Sequence, residues 1–465
     1  MTSFVRSNVA RDRIAIVHYQ QPVSKMTNRP TESSSAPLTL DPVRGGYRNS
    51  KRGFNRSLIC ASLFHEGPRS RVGLKQTTGL PPSRLSEICG ELLREGLIRE
   101  SMIAPPTGSG RGRPQSLLEL DLRRLGVACV RYNQDYITTA LVDLAGTVHW
   151  KRQWKGPFGD ATSMLRTISK CVSQILEVAP SLGIGLVGVG AADPGTVDVA
   201  TGRSLRAVNV PGWNDVPVVD HLTAATGLTG VIQRSDGWQA LGEVAYGAGR
   251  GSQHVLFVTL LEGIGGGIVE GGTLLAGRDG SAGEIGHTRV AIDGPLCGCG
   301  GRGCLEAHLA PSRLAALWQG ALPAELDSIA PRGESEGDDF AQMLAAAQRG
   351  DEKAREVMST AANALAIGLG NAVSLLNPER IILGGRFVGA GESLVSLLRL
   401  ALPKFSLPEL VANVDIRLAE LGEDSVFLGI AAHVRNCVFA YPSMGGTVDR
   451  RAVPKQAIAT NQEAK

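Results

Sequence analysis

Short apolar runs, separated by glycine-rich turns and by amphipathic segments, recur along most of this chain. After about Leu120, runs such as "LGVACVRY", "ITTALVDL", "GIGLVGVGAADPG", "HVLFVTLL" and "RIILGG" are predicted to be buried strands. Helical patterns lie between many of them, for example at residues 161–178 and 354–376. Because strands and helices alternate over residues 120–445, the chain is predicted to form an α/β body there.

Residues 48–119 show a different order of elements. Ile59 and Leu63 lie four positions apart and predict a short helix, which a second short helix follows. After a turn, a third helix opens at a proline pair and buries Leu85 and Ile88. A basic, glycine-rich hairpin or loop comes next. This order is typical of a winged helix-turn-helix, a module that binds DNA.

Charge separates the same two regions. Residues 1–114 carry 18 Lys and Arg against 8 Asp and Glu, a net charge of +10, whereas the rest carries 30 against 36, a net charge of −6. A basic module on an acidic body favours binding to a polyanion such as nucleic acid, although a solvated basic tail has the same composition. Residues 1–47, rich in Ser, Thr, Pro and Arg, are expected to be disordered, and residues 446–465 to form a flexible tail.

Composition argues against several classes of protein. The mean hydropathy of +0.02 and the hydrophobic fraction of 43% are typical of a soluble globular protein. No run approaches the roughly 18–20 apolar residues of a membrane helix, and no apolar stretch typical of a secretory signal follows the N-terminal arginines. Five of the eight cysteines are scattered singly, which argues against a disulfide framework. We therefore expect a cytoplasmic protein with no membrane partner.

The other three cysteines are clustered in the sequence "CGCGGRGC". Zinc is bound by thiolate and imidazole ligands, and glycine-rich loops let thiolates converge, so the spacing of Cys297, Cys299 and Cys304 predicts a zinc site. A redox pair would use a Cys-x-x-Cys spacing, and a plain glycine turn would not need three cysteines. His287, upstream of the cluster, and His308, downstream of it, are both open as the fourth ligand.

Several segments of the chain resemble those of a known family. "GSAGEIGHTRV" and "CGCGGRGCLEA" are similar to the signature of the ROK family, named for repressors, open reading frames and sugar kinases. "AADPGTVD", "VNVPGW", "SDGWQALGEVAYGAG", "EGIGGGIVEGGTLLAGRDG" and "LLNPERIILGG" resemble further family blocks in the same order. The resemblance covers about residues 121–440 and, with the helix-turn-helix segment, extends back to about residue 50. It implies an actin-like, ribonuclease-H-like fold of two lobes with a sugar bound in the cleft. It also implies that His287 is the fourth zinc ligand and that His308 lies on a helix surface.

The same resemblance implies a sugar site. Glu284, His287 and Glu306 match residues that contact sugar hydroxyls, and zinc would hold their loop so that these groups can hydrogen-bond a polyol. Asn209 and Asp236 match further contact positions, and Asp236 also matches the general base of the kinases. A solvated or capping polar residue is the alternative interpretation of each, especially of the isolated Asn209.

Two loops argue against phosphoryl transfer. The first phosphate loop of the family reads Asp-x-Gly-Gly-Thr, whereas the corresponding "VRYNQDYITTALVDL" contains no glycine. In the second, which usually reads Gly-Thr-Gly-x-Gly, Leu261 and Glu262 replace the first two residues, and a carboxylate would repel polyphosphate. Ser235 replaces the asparagine of the catalytic Asn-Asp pair. We therefore predict a sugar sensor that is not an enzyme.

Two alternatives remain open at the level of the sequence. One is an active ROK sugar kinase that also carries a DNA-binding domain. The other is a regulator that responds to a partner protein and uses the zinc element only structurally.

The predicted partners are double-stranded operator DNA and a sugar or sugar-phosphate effector, bound by a homodimer or homotetramer. The third helix would enter the major groove by its N-terminal end, where the candidates to meet bases are Ser83, Arg84, Ser86 and Glu87. Arg71 and Lys75 are expected at the DNA backbone. Arg111 and Arg113 of "GRGRP" are expected in a narrow minor groove, unless this stretch is only a flexible linker. The whole chain is thus predicted to be a sugar-responsive transcriptional repressor.

Overall fold

A computed structural model gives the structure of this chain. It describes residues 51–104, 115–207, 210–261, 263–278, 280–322, 325 and 339–442. The predicted N-terminal extension and C-terminal tail lie outside these ranges. The described residues form a small N-terminal module followed by a body of two lobes.

The N-terminal module packs three helices against a small antiparallel sheet of order β1-β3-β2. Its elements are α1 (Lys51–Glu66), β1 (Arg69–Ser70), α2 (Arg71–Thr78), α3 (Pro82–Arg94), β2 (Ile98–Ala104) and β3 (Gln115–Leu120). The Ser70 hydroxyl caps α2 by accepting a hydrogen bond from the Gly73 N–H, and Gly79 ends α2 in a left-handed conformation. Leu85 and Ile88 of α3 are buried, as their spacing predicts. Elements in this order form a winged helix-turn-helix.

The first lobe is built on a mixed five-stranded sheet. Its elements are β4 (Leu125–Tyr132), β5 (Tyr136–Asp143), β6 (Val148–Lys155), α4 (Ala161–Ser181), β7 (Gly185–Asp193), β8 (Thr196–Asp198), β9 (Arg203–Arg206), β10 (Asn214–Val216), α5 (Val218–Thr226) and β11 (Gly230–Arg234). The sheet order is β11-β7-β4-β5-β6, in which β11, β7 and β4 are parallel while β5 and β6 continue the sheet antiparallel. The short strands β8, β9 and β10 form a separate antiparallel sheet.

The second lobe repeats this strand arrangement. Its elements are α6 (Ser235–Tyr246), β12 (Val255–Leu260), β13 (Ile264–Glu270), β14 (Thr273–Leu274), α7 (Leu305–Leu309), α8 (Pro311–Gln319), α9 (Asp339–Arg349), α10 (Glu352–Leu376), β15 (Arg380–Gly385), α11 (Glu392–Ala401), α12 (Pro408–Val411) and β16 (Asp415–Leu418). The last helix, α13 (Ser425–Val438), follows this lobe in the chain but packs on α6 and on β4 and β7 of the first lobe. The sheet order is β14-β13-β12-β15-β16, with β12, β15 and β16 parallel and β13 and β14 antiparallel. Two sheets with the same pattern confirm the predicted two-lobed α/β class.

One helix among the described residues is long and apolar enough to span a membrane by length and composition. An 18-residue window of α10 has a hydropathy of 1.3. Half of that window is buried inside the protein, and Leu365, Leu369 and Val373 of α10 are fully enclosed by the second lobe. A core helix of a globular domain meets the same test, so α10 is weak evidence for a membrane span.

Helices α6 and α13 cross at very short range where the two lobes join. A Cβ atom on Gly429 of α13 would come within 1.8 Å of the Trp238 carbonyl oxygen on α6. A Cβ atom on Gly242 of α6 would come within 2.2 Å of the Ser425 carbonyl oxygen on α13. The two backbones can therefore approach this closely only because glycine occupies both positions.

The N-terminal module packs directly on the end of α13. The Phe64 ring of α1 stacks on Phe439 with centroids 5.2 Å apart, and a ring nitrogen of His65 lies 3.2 Å from the Phe439 carbonyl oxygen. The Tyr441 hydroxyl donates a hydrogen bond of 3.2 Å to the Glu66 carboxylate. A continuous apolar core runs from the module into the first lobe, so the module and the lobe share buried surface.

Candidate functional site

Four side chains of the loop that connects β14 to α7 converge on one point. The ligand atoms of His287, Cys297, Cys299 and Cys304 all lie within 4.8 Å of one another. The Cys299 and Cys304 sulfurs are 3.7 Å apart, and the Cys297 sulfur is 3.8 Å from Nδ1 of His287. This cluster could hold a metal ion. The edge of a tetrahedral zinc site with Zn–S bonds of about 2.3 Å is about 3.8 Å long, so both the donor set and the spacing fit zinc.

The surroundings of the three thiols differ, and their pKa values differ accordingly. Burial raises the pKa of the Cys297 and Cys304 thiols. At Cys299, which is exposed, a hydrogen bond from the Gly301 N–H lowers the pKa of the thiol. Three thiolates so close together repel one another, and a divalent cation between them removes that repulsion.

The structure distinguishes between the two histidines that the spacing left open. His287 belongs to the cluster, whereas His308, on α7, does not. The expectation that His308 lies on a helix surface is wrong, since this residue is half-buried and its Nε2 is enclosed. Burial lowers the pKa of His308, which keeps its ring neutral. Among the described residues, Nε2 of His308 has no hydrogen-bond partner.

Two of the carboxylates expected to bind sugar lie against the metal cluster. Oε2 of Glu284 is 3.9 Å from Nε2 of His287, on the side of the ring away from Cys297. Oε1 of Glu306 accepts a hydrogen bond of 3.4 Å from the Cys297 thiol. With Nδ1 of His287 directed to the metal position, its Nε2 remains available to a ligand, as do the free lone pairs of the carboxylates.

A buried arginine that the sequence analysis did not single out lies at the centre of this group. Arg234, the last residue of β11, has a side chain that is only 7% exposed. Its Nε donates to Oδ1 of Asp236 at 3.1 Å, and its Nη2 pairs with Oδ2 of the same carboxylate. Its Nη1 pairs with Oε1 of Glu284. Burial opposes the charge, but the two carboxylates outweigh it and raise the pKa of Arg234. A cation at the end of an apolar strand, directly before Ser235 and Asp236, is the sequence signal that could have revealed it.

Of the remaining residues that the sequence placed in or near the pocket, the structure describes Ser235 but not Asn209 or Glu262. The hydroxyl of Ser235 donates a hydrogen bond of 3.3 Å to the Asp193 carbonyl oxygen rather than facing free space. Asn209 and Glu262 lie outside the described residues, so their predicted roles stay predictions.

Backbone N–H groups at the two expected phosphate loops already have partners inside the protein. In the β4–β5 turn, the side-chain oxygen of Asn133 accepts hydrogen bonds from the N–H groups of Asp135 at 2.8 Å and Tyr136 at 2.9 Å. At the start of β13, the Ile264 N–H donates to Oε2 of Glu306 at 3.1 Å. Kinases bind phosphate oxygens with free N–H groups in such loops, and these three groups are not free.

The candidate DNA-contacting residues that the structure describes lie on α2 and α3. Ser83, Ser86 and Glu87 are exposed on α3, and Arg84 donates to the Glu87 carboxylate at 2.8 Å. On α2, Lys75 is exposed.

The remaining basic candidates were Arg71, Arg111 and Arg113. Arg71 lies 3.6 Å from the Glu100 carboxylate of the β2 strand. Arg111 and Arg113 lie outside the described residues.

Comparison with known proteins identifies the family. The model of the ROK family matches residues 127–436. This chain belongs to the ROK family.

The relatives of this ROK protein include both kinases and repressors. A glucokinase of Thermotoga maritima is 34% identical over 58% of this chain and 84% of that protein. A putative xylose repressor of Caldicellulosiruptor sp. is 27% identical over 83% of this chain and 97% of that protein. The DNA-binding transcriptional dual regulator NagC of Escherichia coli is 26% identical over 83% of this chain and 93% of that protein.

Solved structures agree with this assignment. A ROK family transcriptional regulator, described as a homolog of the E. coli MLC protein, superposes with a TM-score of 0.69 over 83% of this chain and 96% of that chain, at 24% identity. A ROK glucokinase from Streptomyces griseus, solved with glucose and AMPPNP, superposes with a TM-score of 0.53 over 66% of this chain and 98% of that chain, at 29% identity. The first similarity shows the shared fold over 83% of this chain.

Proposed function

We propose that this ROK protein is a cytoplasmic, sugar-responsive transcriptional repressor. One observation carries the proposal: a winged helix-turn-helix packs on a two-lobed ROK body, and the relatives matched over 83% of the chain include a putative xylose repressor and NagC. The glucokinase relative covers only 58% of the chain, so the similarity to kinases is confined to part of it.

The pocket is poorly suited to phosphoryl transfer. A general base must accept the proton of the attacking hydroxyl at an oxygen with a free lone pair. Oδ1 of Asp236 already accepts hydrogen bonds from Nε of Arg234 and from the Gly237 N–H, and Oδ2 pairs with the same guanidinium. The N–H groups described above for the phosphate loops are also engaged. These contacts favour a body that binds a sugar without phosphorylating it, and an active kinase remains the alternative that the test below addresses.

In this proposal the effector binds beside the metal centre. Glu284, His287, Glu306, Asp236 and the undescribed Asn209 would contact its hydroxyls. A zinc ion would be held by His287, Cys297, Cys299 and Cys304, and when bound it would fix the loop that carries Glu284 and His287 and the start of α7, which carries Glu306.

Operator DNA would be bound by two modules of a homodimer or homotetramer. The exposed N-terminal end of α3, with Ser83, Arg84, Ser86 and Glu87, would enter the major groove. Arg71 and Lys75 would contact phosphates, and Arg111 and Arg113 would contact the minor groove.

The helix pair α6 and α13 offers a physical connection between the pocket and the DNA module. Helix α6 begins at Ser235, in the pocket, and crosses α13 at Gly242 and Gly429. The end of α13 contacts α1 of the module. A sugar that changes the angle between the lobes would therefore move α6 against α13, which packs on the first lobe beside the module. It would shift the population of the DNA-binding state by its differential affinity for the two states.

Thermal unfolding of the zinc-loaded protein tests the proposal against the kinase alternative. The midpoint is measured with D-xylose, D-glucose and N-acetylglucosamine, each with and without Mg-ATP. Because a ligand that binds only the native state raises the midpoint, we expect one sugar to raise it and Mg-ATP to add nothing. A midpoint raised by Mg-ATP, together with ADP release in the presence of a sugar, would establish a kinase instead.

A further inference from the structure

Arg234 connects the two lobes through the pocket itself. It is the last residue of β11, in the sheet of the first lobe. Its partner Glu284 lies in the metal loop of the second lobe, and the Gly266 carbonyl oxygen of β13, also in the second lobe, is 3.5 Å from its Nη2. The guanidinium therefore occupies the cleft position at which the two lobes meet.

The contacts of Arg234 use the same atoms that a sugar would need. A carboxylate binds sugar hydroxyls through its oxygen lone pairs. Oδ1 of Asp236 accepts hydrogen bonds from Nε of Arg234 and from the Gly237 N–H, which occupy its lone pairs. Oδ2 pairs with Nη2 of Arg234 and faces Gly265, where even a Cβ atom would come within 2.4 Å of it. One oxygen of Glu284 is likewise engaged. The contacts of Arg234 thus occupy hydrogen-bond acceptor sites on both oxygens of Asp236 and on one oxygen of Glu284.

The Arg234–Asp236 and Arg234–Glu284 contacts differ in how easily a ligand can replace them. The Asp236 side chain is 13% exposed and is held by two guanidinium nitrogens, whereas the Glu284 side chain is 41% exposed and is held by one. An ion pair near solvent is weaker than a buried, bidentate one. An incoming polyol would therefore first replace the link to Glu284, which is also the link between the lobes.

We infer that Arg234 is the residue that sets effector affinity, by acting as an intramolecular competitor of the sugar for Asp236 and Glu284. In the free protein its guanidinium joins the lobes across the pocket, and the sugar must displace at least the Glu284 contact to bind. The inference rests on the proposed sugar-binding function, and it assigns to Arg234 a regulatory role at that site.

Calorimetric titration of the full-length, zinc-loaded protein tests this role. The probes are D-xylose, D-glucose and N-acetylglucosamine, and the variant is Arg234→Gln, which keeps a polar side chain but cannot form ion pairs. We expect at least one probe to bind the variant at least 10-fold more tightly than it binds the wild-type protein. The matched control is Arg417→Gln, which removes an arginine paired to Asp415 at 2.7 Å on β16, outside the pocket, and should leave affinity unchanged.

A structural role alone would give a different result. If Arg234 only supports the pocket, the Arg234→Gln variant binds every probe no more tightly than the wild-type protein does, and the inference is overturned.

If this variant does not fold, Arg234→Lys decides the question. An ammonium group cannot hold both oxygens of Asp236 together with Glu284. The lysine variant should therefore also bind a probe more tightly than the wild-type protein, and unchanged affinity would contradict the inference. Failure of the proposed function would look different, because no DNA duplex would then be bound specifically, whatever the effect of Arg234 on sugar affinity.

Discussion

Cys299 is the exposed member of the His/Cys cluster, and its replacement tests whether the cluster holds the proposed zinc. Loss of an outer-shell partner typically lowers metal affinity about 10–100-fold, and loss of a ligand costs more, so Cys299→Ser should lower zinc affinity by more than about 100-fold. The sugar-induced rise in the unfolding midpoint should disappear with it. Zinc content after dialysis against a chelator, measured by elemental analysis, checks the first expectation.

The control for Cys299 is a cysteine outside the cluster. Cys437 is half-buried on α13, and Cys437→Ser should retain wild-type zinc content. A Cys299→Ser protein that keeps its metal and its sugar response would show that the cluster is not the zinc site.

Asp193, at the end of β7, should give the protein a measurable pH dependence. Its side chain is almost fully buried, and burial raises its pKa to about 6, although Tyr132 and Gly195 donate hydrogen bonds to it. In the unfolded chain the Asp carboxyl has a pKa of about 3.9. Between about pH 4 and pH 6 the native protein therefore holds a proton that the unfolded chain has released. The unfolding free energy contributed by this group therefore falls as pH rises through that window.

The variant Asp193→Asn keeps the size of the side chain and one acceptor oxygen, places an NH2 group where the second oxygen was, and does not titrate. The unfolding free energy of the wild-type protein minus that of the variant should decrease by about 2 kcal/mol between pH 4 and pH 7. Urea unfolding at several pH values measures this difference. Asp135→Asn, in the exposed β4–β5 turn, is the control and should not produce it. Parallel profiles for the wild-type protein and Asp193→Asn would contradict the expectation.

At the scale of single residues, the sequence could predict the cluster but not its neighbour. The spacing of the cysteines restricts them to one short loop, so their convergence follows from the chain itself. The choice between His287 and His308 needed either a family resemblance or the structure, because both lie within reach along the chain. Arg234 could be noticed in the sequence as a cation directly before Ser235 and Asp236, but its role could not be predicted, since its partner Glu284 is distant in the sequence and the ion pair exists only after the lobes assemble.

At the scale of secondary structure, the contact between α6 and α13 depends on glycine. Gly429→Ala would place a methyl group 1.8 Å from the backbone oxygen of Trp238, which cannot move without displacing α6. Overpacking usually costs about 1–3 kcal/mol, and a clash with backbone lies at or above the upper end of that range, so we expect a loss of about 3 kcal/mol or more in unfolding free energy.

A Gly→Ala substitution at a helix position with free space around it is the control. A Cβ atom on Gly90 of α3 would meet nothing within 4 Å. Gly90→Ala should therefore stabilise the protein by about 0.5–1 kcal/mol through helix propensity. Chemical denaturation measures both variants, and a Gly429→Ala protein as stable as the wild type would show that the helices do not pack as described.

The elements that the sequence predicted well are those with long, continuous patterns. The runs "LGVACVRY" and "RIILGG" coincide with β4 and β15 because strands buried on both faces are apolar throughout. The helical patterns at 161–178 and 354–376 likewise fall within α4 and α10. Strands β8, β9, β10 and β14 have two to four residues each, too few for any periodicity to appear.

At the scale of the whole molecule, the connection between pocket and module is a product of tertiary structure. The sequence predicts a sensor and a DNA-binding module but contains no local pattern that places α1 on the end of α13. The stacked rings of Phe64 and Phe439 belong to elements more than 370 positions apart, which a single chain without a family comparison does not reveal.

The most direct test of the account is whether a sugar controls sequence-specific DNA binding. The zinc-loaded protein is used to select from a pool of random duplexes, and binding of the enriched duplex is followed by fluorescence anisotropy with D-xylose, D-glucose or N-acetylglucosamine. We expect a palindromic site, with half-sites separated by about 10 base pairs or a multiple of that, and at least a 10-fold weakening of binding by one sugar. No enriched sequence, combined with ATP-dependent phosphorylation of a sugar, would contradict the account and establish the chain as a kinase.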